Sequence, residues 1–299
     1  MPRRAVSSQI PPTEAANARS SGLDLLNTPE LVELLISEHR HAVDAVLAQT
    51  MQISTAVDEI AKRLARGGKL HYVGAGSSGR IGALDAAEMP PTFGTPHDLV
   101  CAHVAGGAAA LARSIEGAED DEAAANNAMG ECVTSGDAVI GISASGGAPF
   151  VVAAVKAARE SGAYTVALTG VADSALARAA QDAIVLDTGA EALAGSTRMK
   201  AGSAQKIGLN AISTAVMVRL GKTYDNLMID LVATNAKLRR RALRLVREVA
   251  GVGEQRARQL LEDANGRVKV AVVMERRGMD AAQAETLLEQ HGGLLRAVL

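Results

Sequence analysis

The stretch "KLHYVGAGSSGRIGALDAAEMPPTFG", residues 69–94, decides the architecture of the chain. It opens as a short apolar run, turns on glycines and serines, and continues as an Ala-rich segment of helical length up to a proline pair. A strand that passes through a small-residue turn into a helix is the unit from which parallel sheets are built. The glycines let backbone approach a ligand, and a helix starting near Ser78 aims its free N–H groups at whatever occupies the turn. Ser77 and Ser78 add hydroxyl donors without adding charge, so the turn reads as a phosphate cradle.

Working outward, the same unit recurs. Apolar runs follow as "LVCAHV" from Leu99, "DAVIGI" from Asp137, "YTVALT" from Tyr164 and "AIVLD" from Ala183, mostly separated by Ala-rich stretches such as "PFVVAAVKAARESG". That alternation predicts an α/β fold, a parallel five-stranded sheet covered by helices on both faces. Ligands of such sheets bind beyond the carboxyl ends of the strands. The first, third and fifth runs lead into "GAGSSGR", "SASGGAP" and "TGAEALAGSTR", so these loops are expected at one sheet edge. Ser143, Ser145, Ser196 and Thr197, with Arg198, repeat the pattern of small hydroxyl donors where a helix begins. Three such turns together suit a monophosphorylated ligand.

The flanks are helical. From Thr28 a long segment shows helical periodicity up to Gly67 and Gly68, with Thr28 as N-cap and Pro29 at the first helical position. The first dozen residues, with Pro2, Pro11 and Pro12, read as a mobile arm. Beyond the sheet, helices are expected from Met199 to about Leu220 and from about Leu227 into "KLRRRALRLVREVAG". Three short helices broken at Gly266 and Gly278 follow. The expected division is an N-terminal arm over 1–27, a sheet domain with flanking helices over 28–238, and a small all-α domain over 239–299. Arg239, Arg240, Arg241, Arg244 and Arg247 read as a solvated helix face, because no aromatics accompany them.

Bulk properties narrow the function. Hydrophobic residues make up 48% of the 299 residues but aromatics only 2%, so the core must be built from Ala, Val, Leu and Ile. A net charge of −2 supplies no global field for nucleic acid or anionic lipid. No apolar run reaches the roughly 20 residues that span a bilayer, and "MPRRAVSSQIPPTE" leads into no apolar signal segment. A cytoplasmic protein is expected. Cys101 and Cys132 lack metal-ligand spacing and read as buried thiols. There is neither a P-loop G-K-[ST] nor a clustered acidic metal motif, so no metal and no cofactor are expected. The G-x-G-x-x-G spacing does not by itself indicate a dinucleotide, since no acidic residue ends "LVCAHV" to hold a ribose.

Two acidic positions stand out. Glu88 lies before "MPPTFG", where the prolines are expected to end regular structure. Glu119 lies in "EGAEDDEAAA", where Glu116, Asp120, Asp121 and Glu122 compete with it. Two carboxylates in different environments can supply one acid and one base. Among the histidines, His71 reads as core, while His97 and His103 lie near the second strand and are rival acid/base groups.

The blocks "GAGSSGRIGALDAAEMPPTFG", "VAGG", "EGAED", "GISASGGAPFVVAA" and "GSTRMKAGSAQKIGLNAISTAVMVRLGKTYDNLMIDLVATNAKL" closely resemble those of the bacterial N-acetylmuramic acid 6-phosphate etherases, from about Thr13 to the C-terminus. The resemblance implies a sugar isomerase (SIS) fold followed by a small three-helix domain like ubiquitin-associated modules, and a homodimer. It implies a carbon–oxygen lyase that cleaves the lactyl ether of N-acetylmuramic acid 6-phosphate, giving N-acetylglucosamine 6-phosphate and D-lactate in cell-wall recycling. It also implies Glu88 as proton donor and Glu119 as acid/base at C2, while the substrate-binding positions Ser77, Ser78, Ser145, Ser196 and Thr197 are those read from the three hydroxyl-rich turns. Met89 and the "GGAP" at 146–149 depart from the family pattern. A non-catalytic sugar-phosphate sensor, like the animal glucokinase regulatory protein, and an aldose–ketose isomerase are the competing readings.

Overall fold

The computed structural model describes residues 11–231 and 236–299. The mobile-arm reading falls largely on residues 1–10, outside the described residues. From Pro11 onward the chain makes three short 3-10 turns, and Thr13 is buried with its carbonyl accepting from the Gly195 amide.

Five strands, β1 (Leu70–Gly74), β2 (Val100–Val104), β3 (Ala138–Ser143), β4 (Tyr164–Thr169) and β5 (Asp182–Val185), form one parallel sheet in the order β2-β1-β3-β4-β5. The strand order reverses between β1 and β3, which opens a crevice outside their carboxyl ends. β1, β3 and β4 are buried along their whole lengths, which is why they read as unbroken apolar runs.

Fourteen helices are described: α1 (Thr28–Glu38), α2 (Arg40–Leu47), α3 (Thr50–Leu64), α4 (Gly76–Phe93), α5 (Ala109–Ala112), α6 (Glu122–Cys132), α7 (Pro149–Glu160), α8 (Ala175–Ala179), α9 (Lys200–Arg219), α10 (Ala236–Ala250), α11 (Glu254–Asp263), α12 (Val268–Arg277), α13 (Ala281–Gln290) and α14 (Leu295–Val298). Chain contacts divide them into two compact units, one ending at Ala86 and resuming over Cys101–Ile212, the other formed by Ala87–Val100 and Ser213–Leu299.

In the first unit, Val73, Val139 and Ala167 of the sheet pack against Met129 of α6, Phe150 and Val151 of α7, and Leu176 of α8. Glycine permits the closest approach here: a Cβ on Gly141 would stand 2.5 Å from Val155 and 2.9 Å from Leu176. In the second unit, α10 to α14 enclose Leu245, Val246, Leu260, Val272, Val273, Leu288 and Leu295. α10 buries Leu238, Ala242, Leu245 and Val246 and leaves Arg239, Arg240, Arg244 and Arg247 exposed. Among the described residues, no helix is long and apolar enough to cross a membrane.

Several expectations are corrected. The single N-terminal helix is three, because tertiary hydrogen bonds claim the break residues: His39 Nδ1 lies 2.9 Å from Ser203 Oγ, and Gln49 Oε1 accepts from the Val185 amide of β5. The N-cap of α1 is Asn27, one residue earlier than expected, in a reciprocal capping box with Glu30. α4 begins at Gly76 and runs through Pro90 and Pro91 to Phe93. The prolines deprive the Ala86 and Ala87 carbonyls of N–H partners and crowd them with their rings, and the helix ends within two residues of them. The helix stops at Gly94, whose φ is 63°. No helix starts at Leu227, which instead forms a tight turn with Tyr224 through mutual backbone hydrogen bonds. Cys101 is half-buried and Cys132 exposed, so neither is the buried thiol expected.

Candidate active site

The turn between β1 and α4 closes on glycine. A Cβ on Gly74 would lie 2.6 Å from the Gly79 nitrogen, and one on Gly79 would lie 2.6 Å from the Gly74 carbonyl oxygen. Strand end and helix start can therefore touch only if both lack side chains. Gly76 serves differently: its φ of +54° suits glycine, and no heavy atom lies within 4 Å of where its Cβ would be, so this side of the turn is open. Ser77, beside it, is half-buried. Ser78 is buried and donates to Gln205 Oε1 of α9 at 3.0 Å, so its hydroxyl proton is spent within the fold.

The segment that carries Glu119 is brought to this turn by the loop after β2. Gly106, at φ +81°, packs under Ile115 and Ala118, which would stand 3.1 and 3.2 Å from a Cβ there. Glu119 itself is exposed, in the 3-10 turn Ala118–Asp120, which starts from Gly117 at φ 69°. It lines a cavity of about 240 Å³ with Gly76, Arg80, Ser114 and Glu116. Arg80 is half-buried there, its Nε donating to the Ala110 carbonyl at 2.9 Å.

A second cavity, of about 720 Å³, is lined by Ala83, His103, Leu111, Asp121 and Phe150 among others. His103 Nε2 lies 3.0 Å from His71 Nδ1, and the rings stack with centroids 5.2 Å apart. Burial lowers both imidazoles, His71 to about 4 with the charge of His103 as the next cause, so both are neutral near neutral pH. His103 is thus engaged with a core histidine, and His97 is exposed.

The remaining loops lie beyond the carboxyl ends of β3 and β5. Ser145 is exposed and its Oγ accepts from the Gly147 amide. α7 starts at Pro149 with no side-chain cap. Ser196 and Thr197 are half-buried in the turns before α9, and Gly202 of α9 would hold a Cβ 3.6 Å from Ile81 of α4. That contact and the Ser78–Gln205 bond bring the "GSTR" turn to the first turns of α4. The amides at the start of α9 are not open. The buried Glu191 carboxylate accepts from the Lys200 and Ala201 amides at 3.2 and 2.9 Å. Glu88 sits within α4, exposed, and lines neither cavity. Neither Glu88 nor Glu119 is buried.

Sequence reasoning missed Arg80, Gln205, Glu191 and the Glu38–Lys200 pair. Arg80 stood in the quoted "GAGSSGR" as its only charge, a signal that went unused.

A family model for the SIS domain matches residues 118–214, and one for the glucokinase regulatory protein N-terminal SIS domain matches residues 52–159. The N-acetylmuramic acid 6-phosphate etherases of Salmonella agona (strain SL483) and Salmonella typhi are each 46% identical over 288 residues, 96% of this chain and 97% of theirs. The chain belongs to the N-acetylmuramic acid 6-phosphate etherase family. Its sheet is also similar to that of the phosphoheptose isomerase from Neisseria gonorrhoeae, with a TM-score of 0.51 and 21% identity over 64% of this chain and 98% of that chain. That likeness shows the fold alone.

Proposed function

We propose that the chain is a carbon–oxygen lyase that cleaves the lactyl ether of N-acetylmuramic acid 6-phosphate, yielding N-acetylglucosamine 6-phosphate and D-lactate. The observation that carries this reading is the 46% identity, over nearly the whole chain, to etherases that bear that substrate in their name. Glu119 at the cavity beside the glycine turn supports it from the geometry.

In the open-chain sugar the C1 aldehyde acidifies the C2 proton. Glu119 removes that proton as a carboxylate base, and lactate leaves C3 with a proton from Glu88. Water adds to C3 of the unsaturated aldehyde, and C2 is reprotonated, so one water is consumed and the ether becomes two hydroxyls. Ser77, Ser145, Ser196 and Thr197 hold the phosphate by hydroxyl donors, and Ser78 fixes the turn that presents it. No metal or cofactor takes part. The enzyme works in the cytoplasm, in amino-sugar recovery from the cell wall, as a homodimer. Exposed Val32, Ile36, Val43 and Leu47, spaced four apart on α1 and on α2, support the dimer as an apolar face for a second copy.

The test is D-lactate release from N-acetylmuramic acid 6-phosphate by the wild type, Glu88→Gln and Glu119→Gln. Each variant is expected to lose roughly 10²- to 10⁴-fold, the worth of general acid or base help. A folded wild type that binds the sugar phosphate and releases no lactate overturns the reading in favour of a sensor. C2 proton exchange without lactate points to an isomerase.

A further inference from the structure

The mechanism above leaves Arg80 unused. It sits on α4 one turn beyond Gly76, half-buried, and Nε donation to the Ala110 carbonyl at 2.9 Å orients its guanidinium. Among the described residues this is its one hydrogen bond, and the two terminal nitrogens remain uncommitted beside the cavity that Arg80 lines. The other ionisable groups lining that cavity are Glu116 and Glu119, so Arg80 is the only cation among them. At about 240 Å³ the cavity is smaller than the roughly 300–1,000 Å³ that encloses a whole drug-sized ligand. It fits a fragment of the substrate rather than all of it.

The substrate of the proposed reaction has two anions: a phosphate on C6 and the carboxylate of the lactyl group on C3. Neutral hydroxyl donors on three turns answer the phosphate. A planar carboxylate is matched by the two parallel N–H donors of a guanidinium, which a lone hydroxyl cannot reproduce. Glu119, which works at C2 in that reading, lines the same cavity, and C3 is the neighbouring carbon. We propose that Arg80 holds the lactyl carboxylate and is the residue that makes the enzyme select acid ethers over neutral ones. This rests on the etherase reading for the identity of the substrate. Arg80 also offsets the two glutamates, which otherwise repel the anion that must enter beside them.

The experiment compares N-acetylmuramic acid 6-phosphate with its lactamide, in which an uncharged carboxamide of the same size replaces the carboxylate, and with unphosphorylated N-acetylmuramic acid. Release of the three-carbon product and binding by calorimetry are both measured for the wild type, Arg80→Gln and Arg80→Lys, with thermal unfolding to verify that the variants are folded. The wild type is expected to prefer acid over amide by about 10- to 100-fold, the worth of charge-assisted hydrogen bonds. In Arg80→Gln that ratio falls to near one while the ratio of phosphorylated to unphosphorylated sugar is kept. Arg80→Lys, which keeps the charge without the fork, retains an intermediate acid preference. An unchanged acid-to-amide ratio in Arg80→Gln overturns the assignment, as does a loss confined to the phosphate ratio, which would make Arg80 a phosphate ligand. If the wild type releases lactate and the ratio is unchanged, the assignment fails and the etherase stands. If it binds acid over amide through Arg80 without releasing lactate, the etherase fails and the assignment stands. A wild type that binds none of the three overturns both.

Discussion

Lys200 is an ammonium with 1% of its surface exposed, held at 2.8 Å by Glu38 Oε2. Glu38 also accepts from Arg19 Nε at 2.6 Å and from Asn17 Nδ2 at 2.7 Å. Hydrogen bonding from Arg19 above all, then from Lys200, outweighs burial and brings the Glu38 carboxyl down from 4.5 to about 2. A folded value below the unfolded one means that this stability is fully present above about 4.5 and is lost as pH falls toward 2. Glu38→Gln is expected to cost about 3 kcal/mol at neutral pH, because it strands the buried ammonium, and the gap to wild type should close across that acidic window. Urea unfolding of both proteins from pH 7 to pH 3 measures it; a pH-independent gap would assign the loss to packing instead. None of this was legible in the sequence. Periodicity reports which positions are polar, and it does not report that Glu38 meets a lysine 162 positions away.

At the scale of elements, the strands were legible and the helix ends were less so, for one physical reason. A parallel strand buried on both faces must be a continuous apolar run, so β1, β3 and β4 announce themselves locally. The breaks among α1, α2 and α3 are set by Ser203 and Val185, which the local pattern at His39 and Gln49 does not contain. The glycine turn was legible as a turn, while the division of labour within it was not. Gly79→Ala puts a methyl group 2.6 Å from the Gly74 carbonyl oxygen and 2.8 Å from Val104 Cγ1. Overpacking of this kind costs about 1–3 kcal/mol and forces the start of α4 away from β1. The expected result is a lower unfolding midpoint together with weaker sugar-phosphate binding in calorimetry. Gly141→Ala, set against Val155 and Leu176, should lose comparable stability and leave binding closer to wild type. Equal binding losses in the two variants would deny the turn its special place.

For the whole molecule, the exposed apolar residues of α1 and α2 carry the expectation of a dimer. Ile36 is 67% exposed and Leu47 65% exposed, unusual for branched side chains on amphipathic helices. Ile36→Glu combined with Leu47→Glu is expected to give monomers in sedimentation velocity while the unfolding midpoint of the monomer stays near that of a matched control; an unchanged sedimentation coefficient would move the interface elsewhere. The site was partly legible at this scale, because strand order alone puts the three hydroxyl-rich loops beyond carboxyl ends of the sheet. What could not be read was which hydroxyls are already spoken for. Ser78 is bonded to Gln205, so the first turn of α4 cannot fray without α9 giving up a buried partner. Opening is then a shared event, and amide hydrogens around 78–81 and 203–206 should exchange with one common protection factor. The cradle behaves as a two-helix clasp with a single clock.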